Sequence, residues 1–422
     1  MERQQWHVLL IIVIHVVFYF ALDTALLIQS RGFDTIEYNL NYMNAVKNFL
    51  KDPTTLYDST NDQMRLRTLP FVALYYAFFY WISPNSMNGY VTCITWMLLW
   101  NIGSALTLEK ITKLESFRSI QTRTFLKDPR VLILLYLCSF WHSGEYYSAP
   151  PNVIAGFFAI LGLYYIMQAK DHVAFLAWGI SMTFKLFPAF LILFFLLKSK
   201  KRDFLKNLIF LAISMLPNLL IFVYCPPLLA SFITSNIATS LATTFSVFPS
   251  GSLARLFSVL GTLLNVPVPF LTVMLIVFMI CVPATILVFI KYGKNMNILD
   301  QAILAFTCGI VVFPDFYPGH TVILWGLFLL WLATRNDNVD GTIKLVYFLV
   351  TCYFTTSILN SFYAVPFALI LVTLLVMFSR SKPRNRETLY HLDHLAPKLL
   401  LLVYIFSNVD IIILYIRLGV IG

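Results

Sequence analysis

The stretch VAFLAWGISMTFKLFPAFLILFFLLKSKKR, residues 173–202, decides the class of fold. It is apolar for most of its length and closes in a basic cluster. About 20 apolar residues span a bilayer as a helix, and basic residues gather at the cytoplasmic ends of such helices. The whole chain of 422 residues repeats this character, with 59% hydrophobic and 12% charged residues. We therefore predict an all-α, polytopic integral membrane protein.

The centre of that stretch holds an interruption, Lys185-Leu-Phe-Pro188. Proline removes a helix hydrogen bond, and an ionisable residue at mid-membrane costs about 2.5–3.5 kcal/mol on insertion scales. We interpret 173–197 as one span that is broken at Lys185 and faces a cavity. Roughly a dozen residues flank Lys185 on each side, too many for snorkelling. Contact with an anionic headgroup, through phosphate or sugar, is the preferred interpretation.

Apolar runs elsewhere predict about 11–13 membrane helices. Besides 173–197, the predicted spans are 7–27, 69–83, 89–108, 131–141, 152–168, 205–224, 266–290, 299–313, 320–334, 343–358, 363–379 and 396–416. Several are shorter than a full crossing. If all crossed, one polar loop would lie on the wrong side, so at least one short run must be re-entrant or half-length. The candidates are 69–83 and the two halves around Lys185.

The first polar loop carries two carboxylates in Arg31-Gly-Phe-Asp34-Thr-Ile-Glu37-Tyr38. Asp34 and Glu37 lie one helical turn apart, which fits a capping box as well as a pair facing a cavity. An amphipathic interfacial helix is predicted after them and ends before Pro53. Its apolar face comprises Ile36, Leu40, Met43, Val46 and Leu50.

Lysine and arginine set the orientation. The formal net charge is +10, and the basic residues lie in short loops between the predicted spans. This placement indicates topology signals rather than a nucleic-acid partner. The basic segments Lys198–Lys206, Arg380–Arg386 and Lys110–Arg130 are predicted to be cytoplasmic. The exoplasmic side then receives Asp34, the Trp141–Asn152 loop, the Cys225–Leu264 region and Phe313–Gly319.

Three further segments on that side carry candidate site residues. Arg255, in Phe248-Pro-Ser-Gly-Ser-Leu-Ala-Arg255, is either a phosphate ligand or an interfacial arginine. Asp315 and His320 share a turn-rich junction that favours substrate hydrogen bonding over a metal site. Glu145 lies among aromatic residues that suit either sugar stacking or interfacial anchoring. The six cysteines lie in or near apolar runs without paired spacing, so we predict packing roles.

The ordered set of these elements resembles the C-type (GT-C) integral-membrane glycosyltransferases. The resemblance is most evident to the polyprenyl- or dolichyl-phosphate-mannose-dependent α-mannosyltransferases. The matching elements are Asp34 with Tyr38, Pro53 with Tyr57, Arg67 to Pro70, Lys185 to Pro188, Ser252 to Arg255, and Pro314 to His320. Glu145 replaces the family's glutamine, and the tryptophan before the histidine is absent. The resemblance covers roughly residues 5–335, and residues 340–422 add C-terminal membrane helices to a single domain, 1–422.

The resemblance implies transfer of a mannosyl or other hexosyl residue from a polyprenyl- or dolichyl-phosphate sugar to a lipid-linked or glycan acceptor. The transfer would be inverting and exoplasmic, with Asp34 as the base. Lys185, Arg255 and His320 would bind the donor phosphate or sugar, and Tyr38, Arg67, Glu145 and Asp315 would line the cavity. We predict no cofactor and no metal-ligating residues, and dependence on a divalent metal stays open. The partners are the donor, the acceptor and membrane lipids, with no nucleic acid.

Two other classes stay open. A lipid or solute transporter, or a flippase, also carries ionisable residues in its spans, but it more often shows paired internal repeats, which the sequence lacks. A non-catalytic subunit of a membrane glycosylation complex could keep the fold without the chemistry. Asp34 weighs weakly against that reading.

Overall fold

The computed structural model describes residues 6, 8–17, 45–57, 68–82, 86–120, 128–137, 150–242, 270–293, 296–312 and 321–334. These residues form α-helices, short turns and one 3-10 helix at Pro53–Tyr57, with no strand among them. The all-α prediction is therefore confirmed for this part of the chain. The helices are α1 (8–17), α2 (45–51), α3 (Phe71–Ile82), α4 (Ser86–Lys113), α5 (Glu115–Arg118), α6 (Pro129–Leu137), α7 (Pro150–Met167), α8 (Asp171–Phe184), α9 (Ala189–Lys198), α10 (Lys201–Tyr224), α11 (Pro226–Ala242), α12 (Phe270–Tyr292), α13 (Ile298–Val312) and α14 (Thr321–Leu332).

The chain divides into two compact units. One comprises 1–121, 125–239 and 322–333, and the other 122–124, 240–321 and 334–422. In the second unit α12 and α13 form a helical pair. The buried Gln301 side chain closes the turn between them by donating to the carbonyl oxygens of Gly293 (2.6 Å) and Met296 (2.8 Å). The first unit contains α1 to α10, most of α11, and α14.

One helix within the described residues, α10, is long and apolar enough to cross a membrane. Its 24 residues span about 36 Å. Shorter apolar helices include α3 and α9. The three predicted spans beyond residue 340 lie outside the described residues.

The stretch 171–198 folds as a helical hairpin. The helix break predicted at Lys185 is confirmed, since α8 ends at Phe184 and α9 starts at Ala189. The two halves run antiparallel, because the rings of Trp178 and Phe195, seven residues from either side of the break, lie 5.0 Å apart. A single interrupted crossing does not fit this hairpin, whereas the alternative that the two halves around Lys185 are half-length segments does. An extended Lys185 followed by Pro188 reverses the chain instead of kinking it.

Small and polar residues pack α8 against α7, which runs antiparallel to it. Trp178 Nε1 donates to the Ala159 carbonyl oxygen at 3.1 Å, and Ser181 Oγ donates to that of Ala155 at 2.6 Å. The Trp178 indole fills the space that a Cβ at Gly162 would need. Close approach of this kind favours small residues between membrane helices. The start of α7 therefore lies at the same end as the hairpin turn.

Helix α10 runs parallel to α8. The rings of His172 and Phe210 lie 4.9 Å apart near the starts of the two helices. Farther along, Gly179 of α8 contacts Ser214 of α10. We call the end of the unit at Lys185 the tip and the end at Asp171 and Lys198 the base.

Helix α4 also ends at the base. Trp100 packs on Phe157 at 5.2 Å, and Ser116 of α5 donates to the Met167 carbonyl oxygen at 3.0 Å, so α4 and α7 run parallel. The basic residues that end α4, Lys110 and Lys113, therefore lie at the same end as those that open α10. The sequence predicted that these two clusters share a side.

Three sequence-based predictions can be compared with the described helices. The Cys225–Leu264 region, predicted to be exoplasmic, contains a 17-residue helix, α11. The predicted amphipathic helix ends before Pro53 as expected, but within α2 the buried residues are Ala45, Val46 and Phe49, while Leu50 is exposed. Helix α3 has only 12 residues, about 18 Å, which agrees with the suspected half-length segment at 69–83.

Candidate functional site at the hairpin tip

Lys185 occupies the tip of the α8–α9 hairpin. Its backbone is extended, with φ −151° and ψ 137°, and its N–H donates to the Ser181 carbonyl oxygen at 3.0 Å to close α8. Phe184 and Phe187 on either side are buried, while Lys185 is half-buried. Lys185 is thus a half-buried cation in a turn whose two nearby phenylalanines are buried.

A buried asparagine from α10 joins this tip to the start of α3. Asn218 Oδ1 accepts a hydrogen bond from the Phe71 N–H at 3.0 Å, and its Nδ2 donates to Thr183 Oγ1 at 3.1 Å. The Phe71 N–H belongs to the first turn of α3, where amides lack intrahelical acceptors. Asn218 therefore caps α3 and fixes it to the residue two positions before Lys185.

A separate hydrogen bond, three residues before Phe71 along the chain, involves the first polar loop. The buried Tyr57 hydroxyl, at the end of the 3-10 helix, donates to the Thr68 carbonyl oxygen at 2.8 Å. Thr68 is itself buried, and its hydroxyl oxygen has no hydrogen-bond partner among the described residues. We call Tyr57, Thr68, Phe71, Asn218 and Thr183 the Asn218 network.

Aromatic rings line the network on the side of α3. Tyr75 packs edge-on against Phe184 with ring centroids 5.5 Å apart, and its hydroxyl accepts a hydrogen bond from Trp100 Nε1 at 3.3 Å. The tip thus combines an ammonium group, the start of a helix and buried hydroxyls beside an apolar wall. Such a surface suits an anion that carries a nonpolar group.

Of the predicted site residues, Lys185 is the one that the structure describes. The others, Asp34, Tyr38, Arg67, Glu145, Arg255, Asp315 and His320, lie outside the described residues. Arg67 directly precedes Thr68 of the network. Glu145 lies five residues before Pro150, which opens α7 at the tip.

The base of the hairpin differs electrostatically from the tip. Burial raises the pKa of Asp171, and the neighbouring Asp203 carboxylate raises it further, against the lowering effect of His172, Lys198 and Lys200. Burial lowers the pKa of Lys198, which Asp171 opposes. The base is therefore a crowded group of mixed charges, whereas Lys185 is the cation at the tip within the described part of the chain.

Sequence reasoning missed Asn218 and Thr183. The signal for Asn218 was its place directly after Pro217, in the middle of the apolar run of α10. A polar side chain in such a run commonly bonds to a neighbouring helix. The described residues contain no group of His, Cys, Asp or Glu arranged to hold a metal ion. This observation does not test the prediction that the protein needs no cofactor.

Comparison of the chain with protein-family models, curated proteins and solved structures found no match in any of the three.

Proposed function

We propose that the chain is a multi-pass integral membrane protein, with the base of the first unit in the cytoplasm and the tip near the exoplasmic side. The two faces of α10 support membrane insertion. Its buried residues are polar, namely Asn207, Ser214 and Asn218. Apart from the basic residues of its first two turns, its exposed large residues are mainly apolar, including Leu205, Ile209, Ile213, Leu216, Leu219, Leu220 and Val223. This is the reverse of a helix on a water-soluble protein, where the exposed face is polar.

We further propose that the protein is a glycosyltransferase of the GT-C type that uses a polyprenyl- or dolichyl-phosphate sugar. One observation carries this proposal. Three elements of the resemblance lie at or next to these hydrogen bonds. Tyr57 bonds to Thr68, which lies within the element Arg67 to Pro70. Asn218 then joins Phe71, directly after that element, to Thr183, two positions before the element Lys185 to Pro188. Convergence of dispersed elements is expected of a binding site and has no reason to arise from span hydrophobicity alone.

In the proposed reaction the acceptor hydroxyl attacks the anomeric carbon opposite the donor phosphate. The bond between that carbon and the phosphate oxygen breaks, and Asp34 takes the hydroxyl proton, so the configuration inverts. Lys185 and Arg255 hold the departing phosphate, where negative charge grows. His320 bonds to the phosphate or sugar. Tyr38, Arg67, Glu145 and Asp315 line the cavity, and the aromatic wall at Tyr75 accommodates isoprenoid.

The test is an assay of the purified full chain with synthetic polyprenyl-phosphate mannose and a panel of lipid and glycan acceptors. Asp34→Asn should lower turnover by roughly 10²–10⁴ with donor binding kept, because asparagine caps a helix well but accepts no proton. Glu37→Gln is the control, since glutamine fits a capping box. Near-normal turnover in Asp34→Asn would remove Asp34 as the base. Loss of turnover in Glu37→Gln alone would assign the base to Glu37, one helical turn after Asp34.

The hairpin also supports a second candidate, a transporter of a lipid-linked or soluble anion. Discontinuous helices with a charged residue at the break form substrate sites in secondary transporters. Helices α8 and α9 span about 21 Å and 15 Å, and neither crosses the hydrocarbon core alone. Proteoliposome flux of a polyprenyl-phosphate sugar that survives Asp34→Asn, with no transfer to any acceptor, would favour transport over catalysis.

A further inference from the structure

The first two turns of α10 carry a compact basic group. Lys201, Arg202 and Lys206 are exposed. Among the described residues none of the three forms an ion pair with an acid. The one acid in these turns, Asp203, is half-buried and interacts with Asp171 of α8, which places it toward the protein. Within the described part of the chain, no acid forms an ion pair with Arg202 or Lys206 on the outer surface of the helix.

An apolar stripe continues from this basic group along the same face. Its members Leu205, Ile209, Ile213 and Leu216 are 49–64% exposed. At 100° per residue, all four and Lys206 lie within about 60° of the direction of Arg202. The opposite face, with Asn207 and Ser214, is buried. One surface of α10 thus presents cations at its start and hydrocarbon beyond them.

The dimensions of this surface match one bilayer leaflet. From Arg202 to Leu216 the helix rises about 21 Å, against a leaflet hydrocarbon depth of about 15 Å plus the headgroup layer. A lipid phosphate level with Arg202 and Lys206 would lay its acyl chains along the stripe. The guanidinium group of Arg202 offers paired donors to phosphate oxygens.

We propose that this face of α10 is a binding site for an anionic phospholipid of the leaflet at the base. A zwitterionic headgroup brings its own ammonium group, which Arg202 and Lys206 repel. An anionic headgroup has no such cation, so its negative charge attracts both side chains without that repulsion. The site rests on the membrane placement proposed above and is independent of glycosyl transfer.

The experiment titrates the purified full chain in detergent micelles with phosphatidylglycerol and, separately, with phosphatidylcholine. Native mass spectrometry gives the apparent Kd for the first bound lipid. Wild-type protein should bind phosphatidylglycerol at least tenfold more tightly. Arg202→Gln/Lys206→Gln should weaken phosphatidylglycerol binding by about 25-fold, since each basic residue near anionic lipid contributes about 1 kcal/mol, or about five-fold. Phosphatidylcholine binding should change little.

The matched control is Lys47→Gln/Lys51→Gln, which removes two exposed lysines from α2. It should leave the preference for phosphatidylglycerol unchanged. Equal affinity of the wild type for the two lipids would overturn the proposal, as would equal losses in both double variants. A salt titration of the wild type needs no variant, and the preference should fall between 50 and 500 mM salt.

Incorporation of the full chain into phosphatidylcholine nanodiscs separates the two proposals. Failure to incorporate would overturn the membrane placement itself. Incorporation without lipid preference would overturn this site alone.

Discussion

The tip and the base of the α8–α9 hairpin differ in how they treat positive charge. At the tip the described residues include one lysine, Lys185, which is half-buried near buried Phe184 and Phe187 and beside the Asn218 network. At the base several lysines and arginines are exposed around Asp171 and Asp203. A half-buried cation in an apolar and hydrogen-bonded setting requires a specific reason, while an exposed group of cations serves orientation. The presence of basic residues alone does not reveal this difference, because both ends carry them.

The largest expected effect concerns which sides of a membrane the two ends face. In a chain without its six native cysteines, Lys51→Cys and Lys200→Cys should label from opposite sides with a membrane-impermeant maleimide. Lys113→Cys should label from the same side as Lys200→Cys, because α4 and α10 share the base. Labelling of positions 51 and 200 from the same side would contradict the placement of the tip and the base on opposite sides of the membrane.

Next in size is the difference between a tip lysine and a base lysine in donor use. Lys185→Ala should lower kcat/KM for polyprenyl-phosphate sugar by about 10- to 150-fold, equivalent to about 1.5–3 kcal/mol for a lost charged hydrogen bond. Lys200→Ala, which removes an exposed lysine at the base, should change it less than two-fold. Steady-state kinetics of both variants at matched expression decide the point. Equal effects would return Lys185 to a structural role.

The two buried asparagines of α10 provide a third test, which compares the effect of each on the free energy of unfolding with its effect on donor use. Asn218→Leu should cost about 1–3 kcal/mol in the free energy of unfolding, because the Phe71 N–H at the tip loses its acceptor. Asn207→Leu at the base removes the 2.9 Å hydrogen bond to Ser199 Oγ and should destabilise to a similar or smaller degree.

Donor use separates these two variants. Asn218→Leu should impair it beyond the stability loss, and Asn207→Leu should not. Unfolding in mixed micelles gives the free energies, and kinetics at a temperature where both variants are folded gives the activity. Normal activity in Asn218→Leu would show that the Asn218 network does not contribute to donor use.

The smallest expected effect is at the base, where Asp171 carries a raised pKa. A carboxyl group whose pKa is higher in the folded state favours folding most when protonated, and this contribution is lost as pH rises through the folded pKa. Asp171→Asn should therefore raise Tm slightly at pH 7.5 relative to wild type, and the gain should shrink toward pH 4. Thermal scans at the two pH values check the sign. A Tm gain that grows toward pH 4 would contradict the assignment.

Much of the architecture could be read from the chain. The all-helical class followed from apolar runs at bilayer length, and the break at Lys185 followed from a proline and a charge within one run. Both depend on local physics, namely helix hydrogen bonding and the cost of exposing polar groups to hydrocarbon. The grouping of Lys110 and Lys113 with the start of α10 also follows from local charge.

The direction of the chain after Lys185 depended on tertiary contacts. A broken helix and a hairpin have the same hydropathy, and packing of Trp178 on Phe195 and of α8 between α7 and α10 selects the hairpin. Asn218 lies 147 residues after Phe71, and no sequence period links an amide at one helix start to a side chain so far away. Within the described residues, the sequence by itself determined most of the helical segments and which helix ends are basic, because both depend on local energies. The tertiary structure alone decided that Asn218 joins Phe71 to Thr183, because long-range hydrogen bonds form only where packing brings their partners together.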